Sequence, residues 1–374
     1  MDIFCNSYRF STLLFISIVY FRANLLLLPS KSNGNAIHAA NLRFAARIII
    51  MPDLSTITLP IAEELKHFNL LLDKELVAES QPLCGIFQHV MNAKGKQLRP
   101  VLVLLSAKLF GEINDKTYRA ALFVEMVHTA TLIHDDVIDE SGLRRGKTSI
   151  NARWGNRTAV LSGDYLLSKA VLNLSENADY DILSEVLRTA CLMSEGELMQ
   201  SDKAAHFDIN EADYFNIITR KTATLMEVCC KTGAFSVDAD RQQISALAQF
   251  GKFLGIAFQI RDDIFDFQPS PELGKPAGND IREHNFTLPL IYCLNHSNET
   301  ERQQLLSDIR QIDENASLLP SIVKRVTASG GIAYAENKMQ EFVNLALQQL
   351  DGFPQNDALF ALRELAHDCV ERKA

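Results

Sequence analysis

Glycine and proline are scarce, 17 and 11 among 374 residues, and neither forms a run. Collagen-like and low-complexity chains are excluded on that ground. Segments alternating apolar and polar residues between turn signals are also few, which leaves little basis for a sandwich or barrel. What remains is a chain of helices joined by short loops. The cysteines number 7 and are scattered without a Cys-x-x-Cys pair. Neither a disulfide framework nor a zinc site is expected, and the thiols read as free in a reducing, cytoplasmic compartment. Basic residues are outnumbered, 37 against 46 acids, for a formal charge of -9. A nucleic-acid partner needs the opposite balance, so the acid serves solubility or holds cations.

Uninterrupted hydrophobic runs are short. Phe10 to Tyr20 is mostly apolar, but Arg22 intervenes before Leu25 to Leu28 resume, and neither stretch nears the ~18 residues of a spanning helix. Residues 1–50 are set apart as an N-terminal extension. It is either a start assigned too early, with Met51 the true first residue, or a short apolar targeting segment. Residues 51–374 form the expected folded domain.

From Ile61 onward apolar residues recur at three- and four-residue spacing, as Leu65, Phe68, Leu72 and Leu76 do, the mark of a helix with one buried face. The pattern predicts helices over 61–79, 82–92, 98–110, 115–138, 157–177, 181–204, 211–235, 240–268, 286–296, 299–314, 317–329, 331–350 and 356–371. Asn210 is expected as an N-cap, Gly111 and Gly330 as C-terminal caps. The fold class is therefore all-α, a single-domain bundle, with one longer loop from Gln268 to Arg282.

Two acidic motifs stand out. His134-Asp135-Asp136-Val137-Ile138-Asp139 ends an apolar helix, and Arg261-Asp262-Asp263-Ile264-Phe265-Asp266 repeats the Asp-Asp-x-x-Asp spacing in another. Residues four apart share a helix face, so Asp135 and Asp139 present two carboxylates together. Mg²⁺ takes one or two such carboxylates plus phosphate oxygens. One motif alone reads equally as a solvated helix end. Six acids on two apolar helices repel one another and call for cations between them, and Mg²⁺ ions holding a diphosphate would satisfy both.

Basic residues supply the other half. Lys96 and Arg99 open a helix within Gly95-Lys96-Gln97-Leu98-Arg99-Pro100, where they could grip phosphate. Arg144 and Arg145 follow the first motif closely. Lys221-Thr222 lies in an otherwise apolar helix, where a lysine needs a partner, and Lys275 sits in the loop after the second motif. Taken singly, each has a bland alternative: a helix start, a surface patch, a plain turn.

Together these residues resemble the trans-prenyl diphosphate synthases, closest to long-chain bacterial members such as the octaprenyl diphosphate synthases. Five ordered motifs carry the resemblance: GKQLRP, LIHDDVIDESGLRRG, RKTATLME, FQIRDDIFDF and LGKPAGND. It implies an isoprenoid-synthase bundle with a central cavity, a homodimer, and an enzyme that adds isopentenyl diphosphate to an allylic diphosphate of geranyl or farnesyl type. Isoprenoid quinone side chains are the implied use, with transient membrane association to deliver the product. Lys96, Arg99, His128 and Arg145 would bind isopentenyl diphosphate. Arg144, Lys221, Gln259 and Lys275 would contact the allylic diphosphate, with Thr222 beside the reacting end. Asp135, Asp139 and Asp262 would ligate Mg²⁺ directly, three ions to a site, while Asp136, Asp263 and Asp266 hold metal-bound waters or neighbouring cations.

Ala130 and Thr131 precede the first motif where short-chain members carry aromatic rings. Small residues there imply a tunnel past Val127 toward Phe123, hence a product of about C40. One departure is Asn285, in Glu283-His284-Asn285 before Thr287-Leu288-Pro289, where the family usually has lysine. His284 is a candidate to supply part of that charge. The rival readings are a shorter-chain synthase, a terpene cyclase, a metal phosphohydrolase built on His134-Asp135, and a non-catalytic partner subunit.

Overall fold

The computed structural model describes residues 54–78, 80–92, 95–268 and 277–371. The extension through residue 50 and Lys275 lie outside them. The principal helices are α1 (Ala62–Glu75), α2 (Gln81–Asn92), α3 (Leu98–Phe110), α4 (Asp115–Ile138), α5 (Asn156–Glu176), α6 (Tyr180–His206), α7 (Glu211–Ile218), α8 (Thr224–Ser236) and α9 (Arg241–Phe265). They continue through α10 (Leu288–His296), α11 (Glu299–Arg310), α12 (Leu319–Ala328), α13 (Gly331–Gln349) and α14 (Asp357–Glu371). Among the described residues the only strands are Leu143–Arg144 and Lys147–Thr148, paired antiparallel. The all-α expectation holds, and no described helix is long and apolar enough to cross a membrane.

Sequence decides which helices lie at the centre. In α3 the run from Pro100 to Ala107 is buried, and in α4 so is Ala120 to Val124. A helix apolar on every side must be surrounded. Accordingly α3 packs on α4 and α8, α4 packs along α5, and α9 lies between α8 and α13. Caps fix where the two motif-bearing helices begin. Asn114 Oδ1 accepts from the Thr117 amide at 3.1 Å, and Asp240 Oδ1 from the Gln243 amide at 2.9 Å, each cap worth about 1 kcal/mol. From these starts α4 and α9 run as long rods whose last turns carry the two acidic motifs.

Asn210 caps α7 through the Asp213 amide as expected, and Gly330 takes φ 87° between α12 and α13. The helix predicted over 211–235 is not continuous: Thr219–Ala223 widens into a π-turn between α7 and α8. Two glycines make room for it. A Cβ at Gly196 of α6 would lie 2.9 Å from the Lys221 amide nitrogen, and one at Gly255 of α9 would lie 2.6 Å from Ala223 Cα. Both neighbours therefore pack backbone against backbone on the widened turn.

Candidate active site

The π-turn is the pivot of the site. A wide turn inserts one residue into the helical register and re-aims side chains, which is why such turns recur at functional sites. Here Arg220 turns outward to Glu195. Lys221 Nζ instead donates to Glu197 Oε2 at 2.9 Å and Gln200 Oε1 at 3.0 Å on α6, and Thr222 Oγ1 donates to Gln259 Oε1 at 2.7 Å on α9. The Lys221 ammonium also acts electrostatically on both Asp135 and Asp280, so it stands between the two acidic helix ends.

At the first motif the three aspartates part ways. Asp136 is buried, and its carboxylate is taken by the Arg144 guanidinium, with Arg144 Nε at 2.8 Å. Asp135 is half-buried, and burial together with Glu197 pushes its carboxyl up to about 6. Asp139 ends the helix and is exposed. His134 points elsewhere: its Nε2 meets Val160 O at 3.2 Å and Asp164 at 3.4 Å, in a notch where a Cβ on Gly163 would lie 2.2 Å away. A ring wedged into α5 is a packing group, which removes the geometric basis for a His134-Asp135 phosphohydrolase.

The second motif divides in the same manner. Asp262 keeps a 46% exposed side chain, with burial on its protein side raising its carboxyl above the usual range. Asp263 is buried between Gln259 Nε2 at 2.9 Å and Tyr214 OH at 2.6 Å, and burial pushes it up to about 7. Asp266 accepts from the backbone amides of Asn279 and Asp280 at 2.9 and 3.1 Å, pinning the far end of the loop to the end of α9. That brings in Asp280, raised to about 8 by burial and by Asp263 and Asp266. It went unassigned in the sequence because no spacing rule ties it to a motif 14 residues away. Glu197 and Gln200 were missed likewise: a lone acid and amide on an exposed helix carry no signal.

Asn285 Oδ1 accepts from Gln200 Nε2, so the departure from the family pattern lies one side chain from Lys221. His284 does not fill that place. Its φ of 56° swings the ring onto Asp313 at 3.0 Å and against Phe207.

A second cationic pole forms where α3 begins. The hairpin turn places Arg145 and Gly146 at φ 52° and 73°, the pair of positive values a type I′ turn requires. Arg145 thereby reaches back over Gly95, where a Cβ would lie 2.5 Å from the guanidinium carbon. Arg99 Nη1 donates to His128 Nε2 at 2.9 Å, while Arg99 Nε is buried without a hydrogen-bond partner. Burial and the neighbouring arginines hold His128 well below the ordinary histidine range, so it is neutral. Lys96 is exposed beside them. An unsatisfied donor in a cluster of cations is a receptor for an anion.

The residues expected to line a tunnel are packed: Ala130, Val127 and Phe123 are at most 2% exposed, and Thr131 is half-buried with its hydroxyl donating to His128 O. A cavity of about 80 Å³ opens along a different side of α4, lined by Leu72, Val90, Glu125, Thr129, Leu132 and Arg145 among others. Among the described residues no three acid, imidazole or thiol groups form a ready-made metal cage. The chemistry of the donors nevertheless suits a hard cation. Asp135 lies near Asp139 and Glu197, Asp280 near Asp263 and Asp266, and Lys221 acts on both Asp135 and Asp280 while Asp262 faces Arg261 and Arg99; Mg²⁺ ordinarily completes its shell with water and phosphate.

Comparison with known proteins gives the family. Residues 80–326 match the family model described as polyprenyl synthetase. The chain is 34% identical over 308 residues to heptaprenyl diphosphate synthase component 2 of Geobacillus stearothermophilus, covering 82% of this chain and 95% of that one. It is 30% identical over 312 residues to octaprenyl diphosphate synthase of Escherichia coli, covering 83% and 96%. Among solved structures, polyprenyl synthase from Caulobacter crescentus, complexed with calcium and isoprenyl diphosphate, superimposes with a TM-score of 0.81 at 32% identity, covering 87% of this chain and 99% of that one. Two facing acidic helix ends, a lysine on a widened turn between them and a separate arginine pole thus belong to a trans-prenyl diphosphate synthase: the chain is a member of the polyprenyl synthetase family and an enzyme of the prenyltransferase class.

Proposed function

We propose that this enzyme condenses isopentenyl diphosphate with an allylic diphosphate of geranyl or farnesyl type, head to tail (1'-4), to give a long all-trans polyprenyl diphosphate. The observation that carries the reading is the pair of separate poles, Lys221 between the acidic helix ends and Arg99 with Arg145 at the start of α3. Two diphosphates need two receptors, whereas a terpene cyclase needs one. Asp136, Asp263 and Asp266 are occupied by Arg144, Gln259 with Tyr214, and backbone amides, whereas Asp139 is exposed and Asp262 meets the Arg261 guanidinium only at 3.4 Å. Asp135, Asp139 and Asp262 would hold Mg²⁺, which when bound would supply positive charge to the departing diphosphate.

The protein's own groups do the rest. Lys221 binds the allylic diphosphate, and Lys275 is proposed as a further contact to it. Arg99, Arg145 and Lys96 orient isopentenyl diphosphate so that its double bond faces the carbon losing diphosphate. Thr222 and Gln259 present oxygen to that carbon, and apolar walls keep water from it. Loss of one proton to the departing diphosphate restores an allylic product. A homodimer is proposed through α5, where Leu161 and Leu172 stand 58% and 54% exposed in line with Tyr165, an apolar stripe that a partner helix would cover.

Purified protein given Mg²⁺, farnesyl diphosphate and labelled isopentenyl diphosphate should yield extractable labelled polyprenyl product. A cyclic hydrocarbon, or product only after a second subunit is added, would overturn the reading. Asn285→Lys is expected to lower KM for the allylic diphosphate by about 3- to 10-fold, since a second ammonium would join Lys221 at that pole; an unchanged KM counts against it.

Metal removal has a signed consequence. Asp135, Asp263 and Asp280 carry folded-state values of about 6, 7 and 8 against 3.8, so between roughly pH 4 and 8 the native state binds more protons than the unfolded one. The metal-free protein should lose thermal stability as pH rises through that window. Mg²⁺ with pyrophosphate should restore more at pH 8 than at pH 6, because it binds the ionised carboxylates. Melting curves that rise with pH in the metal-free protein would contradict this.

A further inference from the structure

One chain of hydrogen-bonded side chains runs from the protein interior to the half-buried Thr222 next to Lys221. Tyr214 OH donates to Asp263 Oδ2 at 2.6 Å, Gln259 Nε2 donates to Asp263 Oδ1 at 2.9 Å, and Thr222 Oγ1 donates to Gln259 Oε1 at 2.7 Å. Tyr214 and Asp263 are 3% and 4% exposed, whereas Thr222 and Gln259 are half-buried, the one beside Lys221 and the other a helical turn before Asp262 in the chain. Tyr214 belongs to α7 and Thr222 to the π-turn that follows it. The same stretch of chain thus closes both ends of the relay around α9.

The direction of the relay follows from its chemistry. With Tyr214 OH donating to one oxygen of Asp263, the other accepts from the Gln259 amide, which turns its NH2 toward Asp263 and its carbonyl oxygen toward Thr222. Thr222 uses one lone pair of that oxygen, and the other remains. Asp263 could not hold this orientation if its own carboxylate were free to rotate. The Tyr214 hydroxyl anchors the second oxygen and removes that freedom.

We propose that Tyr214 is a positioning residue for the coupling reaction: through Asp263 it fixes the Gln259 amide with its carbonyl oxygen, not its NH2, toward the reacting end of the allylic chain. The inference rests on the coupling function proposed above. An oxygen dipole fixed beside the reacting carbon stabilises positive charge as it develops and adds little in the ground state. A flipped amide would present donors there and oppose the same charge.

The test is a double-mutant cycle on the full-length enzyme with Mg²⁺, farnesyl diphosphate and labelled isopentenyl diphosphate. Tyr214→Phe removes only the hydroxyl. It is expected to lower kcat about 10-fold while KM for both diphosphates stays within about twofold. In a Gln259→Ala background the same change should alter kcat by less than about twofold, because a group acting through Gln259 has nothing left to position. A full 10-fold loss persisting in that background, or no loss in the parent enzyme, overturns the inference. Should phenylalanine at 214 lower the melting temperature enough to affect the rates, all four enzymes of the cycle are assayed well below the lowest of their transitions, where the same loss and the same silence in the Gln259→Ala background must appear. No turnover by the unmodified enzyme would instead refute the coupling function itself.

Discussion

Asp135→Ala is expected to lower kcat by about 10³-fold or more at saturating Mg²⁺ while leaving the metal-free protein at least as stable as the parent. The two halves of that outcome follow from one arrangement. Asp135 ends a rod buried along most of its length, faces Glu197 and Lys221, and is pushed up to about 6 by burial. A carboxylate held there costs the fold free energy, so deleting it relieves repulsion with Glu197. What the change removes is an open ligand directed at a leaving diphosphate, and charge stabilisation that acts only as the bond breaks appears in kcat. Labelled-product assays beside melting curves measure both. More than about one-tenth of parental kcat remaining, or a large fall in stability, would make Asp135 a structural acid and end its assignment as a ligand.

That contrast explains which parts of the site the sequence could disclose. The two Asp-Asp-x-x-Asp motifs are local: their spacing sets the face, and the apolar helices carrying them set the burial, so both were legible before any coordinate. Their division of labour was not. Whether an aspartate stays open depends on what crosses it, and the partners of Asp136, Asp263 and Asp266 come from a hairpin, from α7 and from a short helix beyond the loop. The π-turn escaped for a related reason. Thr219 to Ala223 contains no proline or glycine, and the room for its extra residue is provided by Gly196 and Gly255 on other helices. Helix starts, by contrast, were announced: Asn210 caps its helix as expected, though that helix ends at Ile218, and the helix predicted over 115–138 keeps those bounds. His284 shows the limit of reading neighbours as substitutes. It adjoins Asn285 in sequence, yet a left-handed backbone at that residue delivers its ring to Asp313.

Chain length is the property for which family membership is least informative, since the relatives named above are named for heptaprenyl and octaprenyl diphosphate. We propose that the decision falls to Ala130. It lies five residues before Asp135 on the same rod, packed at 2% exposure with Val127 and Phe123 further back along the helix. For a long product to grow, its hydrocarbon must enter between these apolar side chains, and a methyl group at 130 concedes that space where a ring would not. Ala130→Phe is therefore expected to convert a product of about C40 into one of about C20 or shorter, with the initial rate of the first additions within about threefold of the parent. Reversed-phase chromatography of the dephosphorylated products reads the length directly. A ring in so tight a place also overpacks the core by about 1–3 kcal/mol, so Ala130→Leu serves as the milder probe and should shorten the product by an intermediate amount. Unchanged length in both variants would place the growing chain on another side of α4, and the cavity lined by Glu125, Thr129 and Leu132 would then become the route.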